Sequence, residues 1–168
     1  MELQLETPRL VLRPLGLGDV GALRALVIDP DVRRWMMDHQ VVPEATVRAA
    51  IVRSIEGFRR RGAGFFALVS KEDGAFVGEA GLKQARIGGL ELGAAIWPRY
   101  FRQGLAAEAC RAVLDDAFDR LGAPRVVACT DAPNFRSLAL MRRLGFRPLG
   151  ITTAGAFGAI RWFVLERG

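Results

Sequence analysis

The stretch from Leu90 to Thr130 restricts the fold more than any other part of the chain. It begins with the strand-like run LELGAAIW, which closes at Pro98, and continues as a helical pattern that begins inside RQGLAA and runs to about Leu121. It ends with a second strand-like run, RVVACT. Two strands that are joined through a helix need a crossover connection and lie parallel in one sheet. The sequence therefore predicts a parallel strand–helix–strand unit at the centre of the domain.

Hairpin patterns surround this central unit. The runs FFALVS and FVGEAGL flank a short turn that contains Asp73 and Gly74, a frequent hairpin signal. LVLRPL precedes them near the start of the chain, and FRPLGI and IRWFVLER follow near its end around a glycine-rich turn. Apolar residues at helical spacing predict three further helices, over 20–28, 43–62 and 134–144.

Residues at the helix ends support these boundaries. Asp19 can cap the first helix and Asn134 the last, Pro30 can stop the first, and Gly62 and Gly145 are suited to end the other two. Together with the central unit, this order of elements predicts an α+β, or mixed α/β, domain. Its core is a mostly antiparallel, twisted sheet of about seven strands, with a parallel fourth and fifth strand, flanked by about four helices.

Length and composition fit one domain. The chain has 168 residues, which predicts a single domain over 1–168, and about half of them are apolar, enough for a sizeable core. No apolar run approaches the roughly 18 to 20 residues of a membrane span. The start, MELQLETPRL, carries acidic residues and lacks the apolar region of a signal peptide. The sequence therefore predicts a cytoplasmic protein with no membrane partner.

Residue counts argue against several kinds of site. Cys110 and Cys129 form neither a disulfide framework nor a metal-binding spacing, and His39 is the only histidine, so neither a metal site nor a Ser-His-Asp or Cys-His enzyme is predicted. The net charge of +6 comes almost entirely from arginine. This surplus either suits an anionic partner, such as a phosphate-bearing ligand, or is scattered over the surface. Nucleic acid is not favoured, because no zinc finger and no basic-aromatic pattern accompanies the charge.

The start of the central helix is built from small residues. The first turn of a helix leaves about four backbone N–H groups unpaired, and these groups carry the positive end of the helix dipole. Gly104, Ala106 and Ala107 leave them uncovered, and Arg102 adds charge beside them. The pattern predicts a cradle for a phosphate or pyrophosphate, although small residues here also permit close packing against a strand. Neither a P-loop motif nor a dinucleotide-binding glycine motif is present.

Three segments, in order, resemble the GNAT acetyltransferase superfamily. ETPRLVLRPL is similar to the Thr-x-Arg-Leu-x-Leu-Arg-Pro strand that opens one branch, the Rim-type N-terminal acetyltransferases of ribosomal proteins. ELGAAIWPRYFRQGLAAEA resembles its Glu-Leu-Gly strand, proline turn and Gly-x-Ala-x-Glu-Ala helix, and APNFRSLALMRRLGF resembles its Asn-x-x-Ser helix and Leu-Gly-Phe end. The resemblance covers almost the whole chain and implies the acyl-CoA N-acyltransferase fold.

The resemblance also implies acetyl-CoA as the co-substrate, without a metal. The pyrophosphate would lie on the amides of the loop and helix start, the pantetheine arm would pair with backbone near Ile96 and Trp97, and Asn134 would hold it from the other side. The cofactor-binding residues implied in this way are Ile96, Trp97, Arg102, Gln103, Gly104, Leu105, Ala106, Ala107 and Asn134. Phe101 and Arg102 depart from the superfamily's Gln/Arg-x-x-Gly-x-Gly/Ala loop, in which a glycine is common where Arg102 stands.

Acetyl transfer to an amine needs a base for the amine, donors for the developing oxyanion and a proton for the departing thiolate. Glu91 is a candidate base by resemblance, or else a strand-end charge that faces water. Glu79, among small residues in FVGEAGL, is a candidate base or amine anchor. Ser137 is a candidate acid by resemblance, or a hydroxyl bonded to its own helix backbone. Met141 stands where most of the superfamily has a tyrosine.

Two functions are weighed first, and nucleic-acid binding through the arginine surplus is a third, less favoured class. The leading hypothesis is an acetyl-CoA-dependent N-acetyltransferase that acts on a primary amine, either a protein N-terminus or a small molecule, by direct attack in a ternary complex. The missing tyrosine at Met141 favours the alternative, a catalytically weak sensor that binds acyl-CoA. Retention of Glu91, Asn134 and Ser137 favours the enzyme.

The acceptor side carries few motifs. By resemblance, residues in the link after the first helix line the acceptor site, and this link holds Trp35, Met36, Met37 and His39. Each of them is as readily a core or surface residue. The terminal strand, with Trp162 and Phe163, is predicted to be either core or the surface of a homodimer.

Overall fold

The fold is that of a computed structural model, which describes residues 3–36, 40–155 and 158–168. The strands, in chain order, are β1 Leu5–Glu6, β2 Leu10–Pro14, β3 Phe65–Ser70, β4 Phe76–Gln84, β5 Leu90–Ile96, β6 Arg125–Asp131, β7 Arg147–Gly155 and β8 Gly158–Glu166. The helices are α1 Val20–Ile28, α2 Pro30–Arg33, α3 Glu44–Arg61, α4 Leu105–Asp119 and α5 Phe135–Leu144. Within the described ranges, no helix has both the length and the apolar character that crossing a membrane requires.

The strands form one sheet in the order β1-β2-β3-β4-β5-β6-β8-β7. Every neighbouring pair is antiparallel except β5 and β6, which are parallel and are joined through α4. This confirms the predicted mixed α/β fold and its central parallel pair. The prediction missed β1, which has only two residues, and the single-turn helix α2.

The ends of the helices follow the local chemistry of the chain, with two differences from expectation. Pro30 stops α1 as predicted, but it also opens α2, because the Asp29 carboxylate accepts from the amide of Asp31 at 3.0 Å. Asp19 stands at the start of α1, yet its carboxylate accepts from Arg13 at 2.7 and 2.8 Å and from the Gly16 amide at 2.9 Å instead of capping that helix.

The sheet separates two apolar layers. Side chains alternate between the faces of a strand, so Phe66, Leu68 and Leu82 face α4 and α5, whereas Ala67 and Ala95 face α1 and α3. Each fully buried leucine or phenylalanine contributes about 1.5–3 kcal/mol relative to an exposed one. Each face of the sheet is thus buried against its own set of helices, α4 and α5 on one side and α1 and α3 on the other.

The parallel pair is short. β5 and β6 pair only at Leu90 with Val126 and at Glu91 with Val127. Beyond these positions, residues 92–96 of β5 pair with β4, and residues 128–131 of β6 pair with β8. The two strands therefore diverge, and a gap opens between them in the middle of the sheet.

Close packing between β3 and β4 makes Gly81 a test of the fold. A Cβ at Gly81 would collide with the Gly64 carbonyl oxygen and with Cα of Phe65 on the neighbouring strand. We expect Gly81→Ala to lower the free energy of unfolding by about 2 kcal/mol. Gly21→Ala is the control, because a Cβ there meets nothing within 4 Å and the site is an exposed helix position. It should raise stability by about 0.5–1 kcal/mol. Urea titration of both variants measures the difference, and equal effects would contradict the packing described.

Candidate active site

A cavity of about 1080 Å³ occupies the gap between β5 and β6. It reaches both faces of the sheet. On one face it is lined by the first turns of α4 and α5, and on the other by parts of α1, α2 and α3 together with Glu79 and Glu91. A molecule on one face can thus contact a molecule on the other through the sheet itself.

The start of α4 is open to this cavity. Gly104 precedes the helix with φ of 79°, a left-handed conformation that glycine adopts without steric cost. The first backbone bond of the helix runs from the Glu108 amide to the Gly104 carbonyl, at 3.0 Å. The amides of Leu105, Ala106 and Ala107 come before that bond and carry the positive end of the helix dipole. This geometry supports the anion cradle predicted for the segment.

Arg102 has a left-handed backbone conformation, which glycine adopts more readily than any other residue. Its φ is 62°, and within the described ranges it is the single non-glycine residue with a positive φ. The left-handed conformation costs a residue with a Cβ about 1–2 kcal/mol, so the loop is held under strain.

The inner edge of β5 offers backbone groups to the cavity. The Trp97 amide donates to the Val77 carbonyl of β4 at 3.0 Å. Because backbone groups of successive strand residues point to opposite sides, the N–H and C=O of Ile96 point away from β4, toward the gap. Ile96 lines the cavity, whereas Trp97 does not. Of these two expected cofactor-binding residues, the structure brings only Ile96 to the cavity.

Asn134 and Ser137 lie at the start of α5, across the gap. The Asn134 side-chain oxygen accepts from the Ser137 amide at 3.2 Å and caps the helix, as predicted. Among the hydrogen bonds described for these two residues, neither the Asn134 NH₂ group nor the Ser137 hydroxyl is engaged, and both side chains line the cavity. The helix-backbone alternative for the Ser137 hydroxyl has no hydrogen bond to support it in this part of the structure.

Glu91 is buried but already paired. Its carboxylate lies 3.1 Å from Lys83 Nζ across the β4–β5 hairpin and accepts from Cys129 Sγ at 3.5 Å. Burial, together with the neighbouring Glu91 carboxylate, raises the pKa of Cys129 to about 12 and keeps the thiol protonated. With an exposed fraction of 6%, Glu91 is therefore not a strand-end charge in water, and its carboxylate is held in the ion pair with Lys83.

Glu79 is the second buried carboxylate of the cavity, with an exposed fraction of 9%. It stands opposite Ala95 on the same sheet face as Glu91, and four strand residues, about 13 Å, separate the two positions. Burial raises the pKa of Glu79 to about 7, and the positive charge of Lys83 only partly opposes this. Glu79 can therefore exchange a proton near neutral pH.

The remaining expected residues are placed as follows. Arg102, Gly104, Leu105, Ala106 and Ala107 line the cavity, whereas Gln103 does not. The Gln103 side chain donates to the Arg99 carbonyl at 2.8 Å. Trp35 and Met36 line the cavity, and Met37 and His39 lie outside the described residues. Trp162 and Phe163 are core residues, with exposed fractions of 3% and 7%.

Lys83 and Arg143 are site residues that the sequence did not single out. Gly88 and Gly89 close the β4–β5 hairpin, and a turn placed there would have paired Lys83 with Glu91. Arg143 of α5 lines the cavity, and its guanidinium lies 3.5 Å from where a Cβ of Gly104 would stand. No sequence signal distinguishes it from the other arginines. Among the described residues, no cluster of three His, Cys, Asp or Glu side chains could hold a metal ion.

Comparison with known proteins gives one family. The family model of the acetyltransferase (GNAT) domain matches residues 9–147. Similar solved structures include a protein from Bordetella pertussis named as a GnaT-family acetyltransferase, which is 27% identical, with 96% of this chain and 98% of that chain covered and a TM-score of 0.84.

Two further structures are similar in fold. The ribosomal-protein-S5-alanine acetyltransferase from Vibrio fischeri is 16% identical, with 98% and 97% of the two chains covered and a TM-score of 0.77. RimL, a ribosomal L7/L12 α-N-protein acetyltransferase solved in complex with coenzyme A, is 18% identical, with 98% of each chain covered and a TM-score of 0.83.

Burial of Glu79 predicts a pH-dependent stability. Its pKa in the folded protein, about 7, lies above its ordinary value of 4.5, so the folded state binds more protons between these values. The protonated form stabilises the fold fully below the unfolded pKa, and this contribution is lost as the pH rises through about 7. The side chain introduced by Glu79→Gln stays neutral. As the pH rises from about 4.5 to about 8, the free energy of unfolding of this variant should therefore increase by about 3 kcal/mol relative to that of the wild type. Urea titrations measure this gain. A stability difference between variant and wild type that does not change with pH over this range would contradict the prediction.

Proposed function

This chain belongs to the acetyltransferase (GNAT) domain family, and from that premise we propose that it transfers the acetyl group of acetyl-CoA to a primary amine by direct attack in a ternary complex. One observation carries the proposal. The open first turn of α4 and the buried Glu79 carboxylate lie on opposite faces of the sheet and line the same cavity through the β5–β6 gap. A donor held on one face and an acceptor on the other would meet there.

The donor side suits a long anionic thioester. Acetyl-CoA supplies an activated acyl group attached to a thiol that leaves readily. The amides of Leu105, Ala106 and Ala107, with the charges of Arg102 and Arg143, would hold its diphosphate. The free edge of β5 at Ile96 and the NH₂ group of Asn134 would pair with the amides of the pantetheine arm. Support also comes from RimL, which was solved with coenzyme A.

Glu79 is the base that we propose for the acceptor amine. An α-amine has a pKa near 8 and a lysine ε-amine near 10.4, so both are mostly protonated at neutral pH. A carboxylate with a pKa of about 7 is well matched to remove this proton from an α-amine. The ion pair with Lys83 leaves Glu91 less suited to the task, and we propose that Glu91 helps to shape the site and to fix the Cys129 thiol.

Ser137 is the group that we propose beside the departing thiolate. Its hydroxyl lines the cavity at the start of α5, and Met141, one turn further along that helix, is buried and cannot donate a proton. Weak acid assistance suffices, since a thiolate with a pKa near 8.5 is already a good leaving group. Loss of the Ser137 hydroxyl should therefore matter less than loss of the Glu79 carboxylate.

The acceptor side of the cavity combines apolar side chains with two buried carboxylates. Leu23, Val27 and Val32 line it together with Glu79 and the ion-paired Glu91. A primary amine fits this arrangement, because the apolar side chains exclude water and a carboxylate attracts the ammonium group. Two structural neighbours are named for acetylating ribosomal proteins. A protein N-terminus is therefore one acceptor that we propose, and a small-molecule amine is the other.

The anion cradle predicts a specific loss of coenzyme A affinity. In Gly104→Val, the branched side chain would cover the first amides of α4, and we expect affinity to fall by about tenfold or more, that is, by at least about 1.4 kcal/mol. Gly122→Val is the matched control. Gly122 has a comparable φ of 63°, lies beyond α4 and has nothing within 4 Å of its Cβ position. Both variants lose stability to the same strain, but only the first should bind coenzyme A more weakly in calorimetry. Equal affinities would exclude the cradle.

The proposed base predicts a specific loss of turnover. Glu79→Gln should lower kcat/KM for acetyl transfer by about 100-fold and remove the rise in activity through about pH 7, with coenzyme A affinity unchanged. Thiol release with a panel of amines measures the rate, and mass spectrometry identifies the acetylated product. Glu91→Gln and Ser137→Ala should each cost less. Binding of coenzyme A without thiol release for any amine would instead identify a sensor.

A further inference from the structure

The turn between β1 and β2 is attached to the first turn of α4 by a dense set of hydrogen bonds. The Glu108 carboxylate accepts from the Thr7 hydroxyl at 2.6 Å, from the Arg9 amide at 2.9 Å, and from the Arg9 guanidinium at 2.7 Å and 2.6 Å. Burial opposes ionisation of Glu108, but the hydrogen bonds from Thr7 and Arg9 outweigh it, and the pKa of Glu108 lies below its usual value. Both oxygens of the carboxylate are thus occupied, and the Arg9 side chain is held in one orientation.

The same guanidinium reaches the loop that precedes α4. Arg9 Nη1 donates to the Gln103 carbonyl at 2.9 Å, and Arg9 Nη2 lies 3.6 Å from where a Cβ of Gly104 would stand. Gln103 lies between the two residues of this loop with positive φ, Arg102 at 62° and Gly104 at 79°. The bond to the Gln103 carbonyl therefore acts between these two left-handed residues, next to the strained Arg102.

Arg102 makes this support necessary. A residue with a Cβ disfavours the left-handed region, so the loop has a tendency to leave the conformation in which the α4 amides are presented together. Such strained conformations persist only where the surrounding structure holds them. Arg9 is the side chain that joins this loop to α4 through the paired Glu108.

We propose that Arg9 is a positioning residue, which holds the Arg102–Gly104 loop in its strained conformation and so keeps the anion cradle formed before a ligand arrives. This role rests on the proposed function in that the ligand of the cradle is coenzyme A. The role is separate from acetyl transfer, because the Arg9 guanidinium supports the loop by donating to the Gln103 carbonyl and does not act on the acetyl group.

The experiment compares Arg9→Met in two backgrounds. Methionine keeps an apolar stem and removes all the donors of the guanidinium. In the wild-type background, we expect Arg9→Met to weaken coenzyme A by about tenfold in calorimetry, or about 1.4 kcal/mol, and to raise the KM for acetyl-CoA while kcat stays within about twofold. In the Arg102→Gly background, where a left-handed φ carries no steric cost, the same substitution should cost less than about threefold.

The double-mutant cycle separates support of the loop from a direct charge effect. A guanidinium that acted only through its charge on the diphosphate would lose the same affinity in both backgrounds, and that result would overturn the proposal. Arg9→Lys keeps the charge but cannot bind Glu108 and the Gln103 carbonyl in the same fork geometry. Arg9→Lys should therefore weaken coenzyme A binding about as much as Arg9→Met does. Wild-type affinity of the lysine variant would also overturn the proposal.

Arg13→Met is the matched control for the loss of an arginine–carboxylate pair. Arg13 lies on β2, whereas Arg9 lies just before that strand. The Arg13 guanidinium binds the Asp19 carboxylate at 2.7 Å, and neither residue belongs to the Arg102–Gly104 loop. Arg13→Met should lower the melting temperature as much as Arg9→Met does and leave coenzyme A affinity unchanged. Equal weakening by both variants would show a general loss of structure and overturn the proposal.

The choice of probe distinguishes failure of the Arg9 role from failure of the proposed acetyl transfer. Calorimetry with coenzyme A and thermal melting need no acceptor, so they test Arg9 even if no amine is acetylated. Should Arg9→Met not fold, Glu108→Gln removes the charge that orients Arg9 and must reproduce the loss of affinity and its reduction by Arg102→Gly. If coenzyme A does not bind the wild type at all, the proposed function fails together with this role.

Discussion

The early end of the β5–β6 pairing is the constraint on which the site depends. Two residue pairs hold these parallel strands together, after which each strand completes its hydrogen bonds with its other neighbour. The inner edges are left with backbone groups, such as those of Ile96, that no strand satisfies. A sheet normally separates two faces completely. Here the divergence opens a passage through it, so that groups carried by helices on opposite faces line one cavity.

The charges around this passage are divided between the faces. On one face, the start of α4 and the guanidinium of Arg143 present positive charge to the cavity. On the other, Glu79 and Glu91 are buried, and the Glu91 carboxylate lies 3.1 Å from Lys83 Nζ in an ion pair. Burial is the main cause that raises the pKa of Glu79 to about 7, and the positive charge of Lys83 opposes it only in part. The surroundings of a carboxylate thus decide its chemistry as much as its residue type does.

Much of this site was accessible from the sequence, because local patterns report local structure. The small residues after Gly104 predicted an open helix start, Asn134 predicted a cap, and Glu79 stood out as a carboxylate in the middle of an apolar strand. Resemblance to the family supplied the order of these segments and the ligand that we propose. The parallel strand–helix–strand unit followed from element order, since two strands joined by a helix have one common arrangement.

Only the tertiary structure decided which residues distant in the chain contact each other. Glu108 receives Arg9 from 99 positions away, and Lys83 pairs with Glu91 through the hairpin register. The Trp97 amide donates to the Val77 carbonyl of β4, so the backbone groups of Ile96 face the gap. Residue type and spacing determined which helices and strands form. Which side of a strand meets which neighbour depends on long-range pairing and packing, because a one-residue change of register reverses every side chain and backbone group along it.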